Sequence, residues 1–582
     1  MPYNPQVDDL KHVLGSMTGF RTLVDQGRIE DLSADLMDQI LDEAGRFAAE
    51  IVAPLNVVGD QNAAKLLGDG VVETPPGWKQ AYSQWMEAGW GSLPSPKQWG
   101  GQNLPLSLSL ATQELWNTAA LAFGLCPLLT QGATEALEKH GSEALKQIYL
   151  PKLATGEWTG TMNLTEPQAG TDLAALKTRA EPQGDGTYRL YGTKIFITYG
   201  EHDLAENIIH LVLARLPDAP EGTRGISLFL VPKFLVNEDG SLGRRNDVKC
   251  VGLEHKLGIH GSPTCVLAYG ESEGAIGWLI GEENRGLNCM FTMMNSARLH
   301  VGMQGVAIGE RAYQQALAYA QERRQGRRPG QKEMVPIIEH PDVKRMLLDM
   351  RAKVQASRAI CFATANAFDM ARYTESPEDR ARYDAIGQLL TPVAKAFSTD
   401  MGVDVASTGV QVHGGMGFIE ETGAAQYYRD ARIAPIYEGT NGVQAIDLVG
   451  RKLPMAEGAV VADLIRQFRE IAAEARRVND PDFGTIAERL DEAVDDLEQA
   501  TTWILEAQKR EPDEALASAT PYLRLFGLAA GGAWLVKGAL ADRANGHVPL
   551  ARFFAEHLMT ETGGLKRRVI DGGASVLKAT AW

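Results

Sequence analysis

Arg432-Ile-Ala-Pro-Ile-Tyr-Glu-Gly-Thr-Asn-Gly442 sets one carboxylate, Glu438, in a glycine-bounded turn about twenty residues beyond Gly414-Gly-Met-Gly-Phe418. Alone, the stretch reads as a solvated acid at a helix entry. Ile436 and Tyr437 before it supply a dry setting, and desolvation raises a carboxyl pKa towards that of a working base. Gly439 lets the backbone approach a ligand closely. Thr440 caps or precedes a helix from about Gly442, whose N-terminus receives negative charge.

Two runs far upstream complete the pattern. Leu164-Thr-Glu-Pro-Gln-Ala-Gly-Thr-Asp172 is a Pro- and Gly-containing connection, and Lys194-Ile-Phe-Ile-Thr-Tyr-Gly200 reads as a strand entering a turn. Around them the chain changes character twice. From Leu36 to about Leu153 the period is helical, with Leu36, Ile40, Ala44 and Phe47 recurring every three to four residues. Between Thr159 and about Gly270, β-branched and aromatic runs alternate with turn signals such as Gly184-Asp-Gly186. Helical stripes then resume. Leu299, Met303, Val306, Tyr313, Leu317 and Ala320 form one, interrupted only by Glu310; Val343, Leu347, Met350, Val354, Cys361, Thr364 and Phe368 form another. Ser376-Pro377 and Thr391-Pro392 each predict a helix start, which gives an antiparallel four-helix bundle. Beyond Pro454, stripes through Val461–Ala475 and Ile486–Ile504, with helical stretches near Leu523–Ala541 and Pro549–Thr560, predict an additional helical bundle.

The expected organisation is therefore mainly α with an inserted β domain: an N-terminal extension (1–35), a helical domain (36–158), a middle β domain (159–275), a helical bundle with the Glu438 loop (276–453) and an added helical domain (454–582). A formal net charge of −17 over 582 residues opposes binding to a nucleic-acid backbone. Cys126, Cys250, Cys265, Cys289 and Cys361 are scattered, with no metal-ligand spacing, and predict reduced thiols. The acidic start of the chain has no secretory leader pattern, and the apolar run Leu525–Ala541 carries Lys537 and glycines suited to a buried helix. The expectation is a cytoplasmic protein bound to neither membrane nor nucleic acid. No G-x-G-x-x-G turn joins a strand to a helix, and the Walker, H-E-x-x-H and G-x-S-x-G patterns are absent.

The three runs, in this order and at these separations, resemble the acyl-CoA dehydrogenases, and the resemblance covers nearly the whole chain. It implies FAD as cofactor. Leu164, Thr165 and Thr198 would meet the flavin ring, Phe196 would wall it where many members carry Trp, and Met162 stands where an aromatic is common. Gly170 would belong to the cofactor site, and Thr171 would contact phosphate and also the substrate. Arg323, or Arg324 beside it, would reach a neighbouring subunit's flavin pyrophosphate, with Gln411 and Gly415 at the adenosine half. Thr440 and Gly442 would complete the cofactor site, and Arg298, Tyr437 and Gly439 would line the substrate. Glu438 would take the α-proton of an acyl-CoA while hydride leaves the β-carbon, giving a trans-2-enoyl-CoA. The alternative base position, on an earlier helix, falls at Ala297 and is ruled out. The long layout is similar to bacterial members acting on 3-(methylthio)propanoyl-CoA in dimethylsulfoniopropionate breakdown. A general fatty acyl-CoA dehydrogenase, an acyl-CoA oxidase and a DNA-associated flavoprotein of the same fold are the alternatives. A homodimer passing electrons to an electron-transferring flavoprotein is expected.

Overall fold

The computed structural model describes residues 3–330, 332–478 and 480–580; Met1, Pro2, Gln331, Asn479, Ala581 and Trp582, which include both ends of the expected domain series, lie outside the described residues. After two short helices, Val7–His12 and Phe20–Asp25, the longer helices α1 (Ala34–Phe47), α2 (Leu106–Ala119), α3 (Leu121–His140) and α4 (Glu143–Thr155) make up the first part of the chain, with the shorter Leu55–Gln61 and Trp78–Glu87 between α1 and α2. Strands β1 (Thr159–Asn163), β2 (Arg179–Pro182), β3 (Tyr188–Thr198), β4 (Ile208–Ala214), β5 (Ser227–Pro232), β6 (Val248–Leu253), β7 (Thr264–Tyr269) and β8 (Ala275–Ile280) follow. The long helices α5 (Gly286–Glu322), α6 (Pro341–Tyr373) and α7 (Pro377–His413) lead to the short α8 (Asn441–Asp447). The chain closes with α9 (Ala459–Arg477), α10 (Ile486–Arg510), α11 (Ala519–Ala541), α12 (His547–His557) and α13 (Thr562–Lys578).

Two compact units result, residues 50–104 with 119–297, and residues 1–49 with 105–118 and 298–582. The first is built on a sheet ordered β6-β7-β3-β8-β5-β4-β1, with β2 paired to β3. Only β1 and β4 run parallel; the other pairs are antiparallel. All seven residues of β4 are buried, as its unbroken apolar run requires. The Gly184-Asp-Gly186 signal becomes the β2–β3 hairpin, in which both glycines hold positive φ.

In the second unit, Ser376 Oγ accepts from Asp379 N at 3.1 Å and caps α7 as expected. The helix start expected at Thr391-Pro392 does not form. Pro392 sits inside α7, where it is buried, and the Thr391 hydroxyl donates to the Gly387 carbonyl at 2.8 Å. Packing on both sides outweighs one missing backbone hydrogen bond. The fourth member of the helix group is instead α2, from earlier in the chain. Asp369 of α6 receives the α2 N–H groups of Leu106 and Ser107 at 2.9 and 2.8 Å. Glu310, the lone break in the α5 stripe, is buried for a reason. Its carboxylate accepts from Arg358 Nη2 at 2.9 Å, and the same nitrogen donates to Glu114 of α2 at 2.6 Å. Gln6 and Asp9 of the N-terminal extension join this network through Glu114 and Arg351.

Among the described residues α11 is the one helix long and apolar enough to cross a membrane, and 83% of its most apolar window is buried. Gly527 shows how closely it packs: a Cβ there would lie 2.2 Å from the Phe397 ring of α7. Helix α13 escaped the sequence reading because Gly563, Gly564, Gly572 and Gly573 depress helix propensity.

Candidate active site

Each unit carries one group of the expected site residues. In the sheet unit, the 164–172 connection lies along β3 and is fixed by a buried ion pair. Lys194 Nζ donates to Glu166 Oε1 at 2.9 Å and to the Leu164 carbonyl at 3.0 Å, while Ile195 N donates to the Thr165 carbonyl at 2.9 Å. The Glu166 carboxylate also accepts from Thr178 Oγ1 (2.6 Å), Thr178 N (3.0 Å) and Lys177 N (2.7 Å). Burial alone would raise its pKa, but the Lys194 charge and these donors bring it down to about 2. Burial in turn pulls Lys194 down to about 8, against the pull of Glu166.

Leu164 is buried, Met162 and Thr165 are half-buried, and Gly170 and Thr171 are exposed. Thr198 is half-buried at the end of β3. Phe196, two residues before it, holds φ +60° and is 57% exposed. An aromatic residue in the left-handed region carries strain of about 1–3 kcal/mol and is held there by its surroundings. One strand end thus presents a strained, uncovered aromatic ring and a hydroxyl, beside a connection rigidly held along it. These features suit a flat aromatic ligand with polar edges, and so fit the flavin of FAD.

In the helical unit, Glu438 and Gly439 are consecutive left-handed residues, at φ +57° and +85°. Four side chains secure the turn. Tyr437 donates its hydroxyl to Gln304 Oε1. Gln444 Nε2 donates to the carbonyls of Glu438 and Gly439 at 3.4 and 3.2 Å. Lys395 Nζ donates to the Gly439 carbonyl at 2.9 Å and to Asn441 Oδ1 at 2.8 Å. Thr440 Oγ1 accepts from Val443 N at 3.3 Å and caps α8, with Gly442 in its first turn. Arg298 is buried, with Nη1 3.3 Å from Asp447 Oδ2; its Nη2 lies 3.8 Å from where a Cβ on Gly439 would sit.

Glu438 itself is half-buried, and no hydrogen-bond donor meets its carboxylate among the described residues. Desolvation raises its pKa to about 7, even though Arg298 and Lys395 both oppose the rise. The arrangement can therefore take up a proton near neutrality, with two cations in place to receive the negative charge while the acid is ionised.

Farther along α5, Arg323 is exposed at the helix end, with its backbone bonded to Tyr319 and Ile337. Arg324 Nη1 donates to the Met334 carbonyl at 3.0 Å, so its guanidinium is committed to the following turn. Gln411 and Gly415 are exposed at the end of α7. His413 between them is buried, bonds the Gly409 carbonyl through Nδ1 at 2.7 Å and stacks on Tyr319, a packing role. Sequence reading passed over Lys395, Gln304, Gln444 and the partners of Glu166. A signal existed for Lys395: it is a lone cation inside the apolar run Val393–Phe397.

The chain belongs to the acyl-CoA dehydrogenase family and is an FAD-dependent oxidoreductase that dehydrogenates an acyl-CoA. The family's N-terminal, middle and C-terminal domain models match residues 36–157, 161–270 and 284–453, and an acetyl-CoA dehydrogenase C-terminal-like model matches 462–580. A 3-methylmercaptopropionyl-CoA dehydrogenase of Ruegeria pomeroyi is 47% identical over the full length of both chains. A butyryl-CoA dehydrogenase of Syntrophomonas wolfei is 37% identical over 81% of each. Among solved structures, Caenorhabditis elegans ACDH-11 in complex with C11-CoA shares the fold, with a TM-score of 0.78 at 22% identity over 96% of this chain and 95% of its own.

Proposed function

We propose that the protein oxidises 3-(methylthio)propanoyl-CoA to 3-(methylthio)acryloyl-CoA, a step of dimethylsulfoniopropionate breakdown, with Glu438 as the catalytic base. The observation that carries the base assignment is a carboxyl that meets no hydrogen-bond donor among the described residues, its pKa raised to about 7, in a left-handed turn flanked by two cations. The thioether substrate rests on the full-length identity to the Ruegeria pomeroyi enzyme.

Glu438 removes the α-proton. Its own backbone N–H, which has no backbone acceptor among the described residues, is available to the thioester carbonyl, where negative charge develops. Arg298 and Tyr437 keep the turn dry and charged on the correct side, and Gly439 leaves room for the acyl group. Bound FAD supplies the acceptor for the hydride that leaves the β-carbon. Leu164, Thr165 and Thr198 would hold the ring, with Phe196 and Met162 beside it. Gly170 would belong to the cofactor site, Thr171 would contact phosphate and also the substrate, and Thr440 with Gly442 would present the α8 N-terminus. Arg323, whose guanidinium is not tied to the turn as that of Arg324 is, would meet the pyrophosphate of a second subunit, with Gln411 and Gly415 at its adenosine half. The working form is then a cytoplasmic homodimer whose electrons pass to an electron-transferring flavoprotein.

Glu438→Gln should keep the yellow flavin colour while anaerobic bleaching by the acyl-CoA slows by about 10²- to 10⁴-fold. Bleaching at the unaltered rate would refute the base assignment. The Syntrophomonas wolfei relative favours butanoyl-CoA as the second reading. A higher kcat/KM for butanoyl-CoA than for 3-(methylthio)propanoyl-CoA would select it.

A further inference from the structure

Lys395 is completely buried in α7, between Ala394 and Ala396, where an uncompensated ammonium would be costly. Both of its acceptors lie on the Glu438 turn: the Gly439 carbonyl at 2.9 Å and Asn441 Oδ1 at 2.8 Å. Asn441 is itself fastened to α7, donating through Nδ2 to the Ala396 carbonyl at 3.1 Å and to Asp400 Oδ1 at 2.7 Å. Gly439 and Asn441, on either side of Thr440, are thus tied to one helix, immediately after a non-glycine residue that holds positive φ. A hydrocarbon side chain would fill the same space without reaching either acceptor.

We propose that Lys395 is a positioning residue for the dehydrogenation: it ties the turn to α7 so that Glu438 keeps its left-handed geometry, and its charge favours the proton-accepting form of that carboxylate. This rests on the assignment of Glu438 as base. The charged groups around the pair are few. Glu438 faces Arg298 from α5, Lys395 from α7 and the Tyr437 phenol beside it, and Lys395 also faces Arg298, and Asp400 of its own helix. Behind them stand Asp447 of α8 and Arg451 against Arg298, and Asp404 of α7 and Arg524 of α11 against Asp400. Burial brings Lys395 down to about 7, against the pull of Glu438 and Asp400, so it holds its proton best when Glu438 is ionised.

The test compares Lys395→Met, Lys395→Gln and Lys395→Arg in the FAD-loaded enzyme, beside Glu438→Gln. Two quantities are read: the pH profile of anaerobic bleaching by 3-(methylthio)propanoyl-CoA, and the substrate-free titration of the Glu438 carboxyl by infrared difference against Glu438→Gln. Lys395→Met should slow bleaching about a hundredfold, with KM little changed. Both the acid limb and the carboxyl titration should move up by about one unit. Lys395→Gln keeps a donor without the charge and should show the same upward move with a smaller loss of rate. Lys395→Arg should restore the titration and only part of the rate. If neither neutral variant moves the carboxyl titration or the acid limb, the proposal is overturned, even where the rate falls. Wild-type bleaching by Glu438→Gln would sink the base assignment instead, a separate outcome.

Discussion

Two glutamates in this chain meet opposite fates, and the contrast explains how one fold makes both a scaffold and a base. Glu166 in the sheet unit accepts from a buried lysine, a hydroxyl and two backbone N–H groups, and its pKa falls to about 2. Its backbone is ordinary: no residue from 164 to 172 holds positive φ. Glu438 in the helical unit meets no donor among the described residues, sits in a strained turn and rises to about 7. Burial disfavours the charged form of both. The Lys194 charge in direct contact, with the hydrogen bonds around it, keeps Glu166 ionised and fixed, whereas Glu438, with no such contact, remains free to exchange a proton.

The largest effect should come from removing the cation under Glu166. Lys194→Met leaves a buried carboxylate without its counter-charge, which typically costs about 3–5 kcal/mol. Thermal unfolding should register the loss, and flavin should dissociate more readily because the Leu164 carbonyl loses its donor on β3 and only the Ile195 N–H to Thr165 carbonyl bond still holds the connection there. A melting temperature and flavin retention equal to wild type would mean that the ion pair does not hold the connection.

The two acids should also give stability opposite slopes with pH. Glu166 has a folded pKa below its unfolded value, so its contribution is present above about pH 4.5 and disappears as pH falls through about 2. Glu438 has a folded pKa above its unfolded value, so its contribution is complete below about pH 4.5 and is lost as pH rises through about 7. Glu438→Gln should therefore be more stable than wild type at pH 8 by about 1–3 kcal/mol, with the gap closing towards pH 4.5. Glu166→Gln should be less stable than wild type throughout the neutral range. Parallel slopes in denaturant titrations of the two variants would erase the distinction.

Sequence reading reached the two glutamates unequally, for physical reasons. The Glu438 run announces itself through local signals: a carboxylate, a glycine and a capping threonine within three residues. The alternation of helical and β periods likewise gave the order of the domains. Of the environment that makes Glu438 a base, Arg298 was reached only through the family resemblance and Lys395 and Gln444 not at all, because the three come from helices whose relative rotation no periodicity specifies. Glu166 was visible only as part of a motif; its partners Thr178 and Lys194 lie 12 and 28 residues away and meet it through the sheet. The proline at 392 misled for the opposite reason. Its local signal is a helix start, and packing on α7 overrides it.

The smallest effect should isolate backbone geometry from charge. Gly439→Ala puts a side chain on a residue at φ +85°, where its Cβ would lie 2.8 Å from Gln444 Nε2. An L-residue in the left-handed region costs about 1–2 kcal/mol, and the displaced Gln444 would release the Glu438 carbonyl. Arg298 and Lys395 keep their charges in this variant. The acid limb of bleaching should therefore stay near its wild-type position while the rate falls by about tenfold, the equivalent of roughly 1.4 kcal/mol. A shifted limb with an unchanged rate would show that the turn acts on the ionisation of Glu438 rather than on where the carboxylate points. In that case its difference from Glu166 would reduce to electrostatics alone.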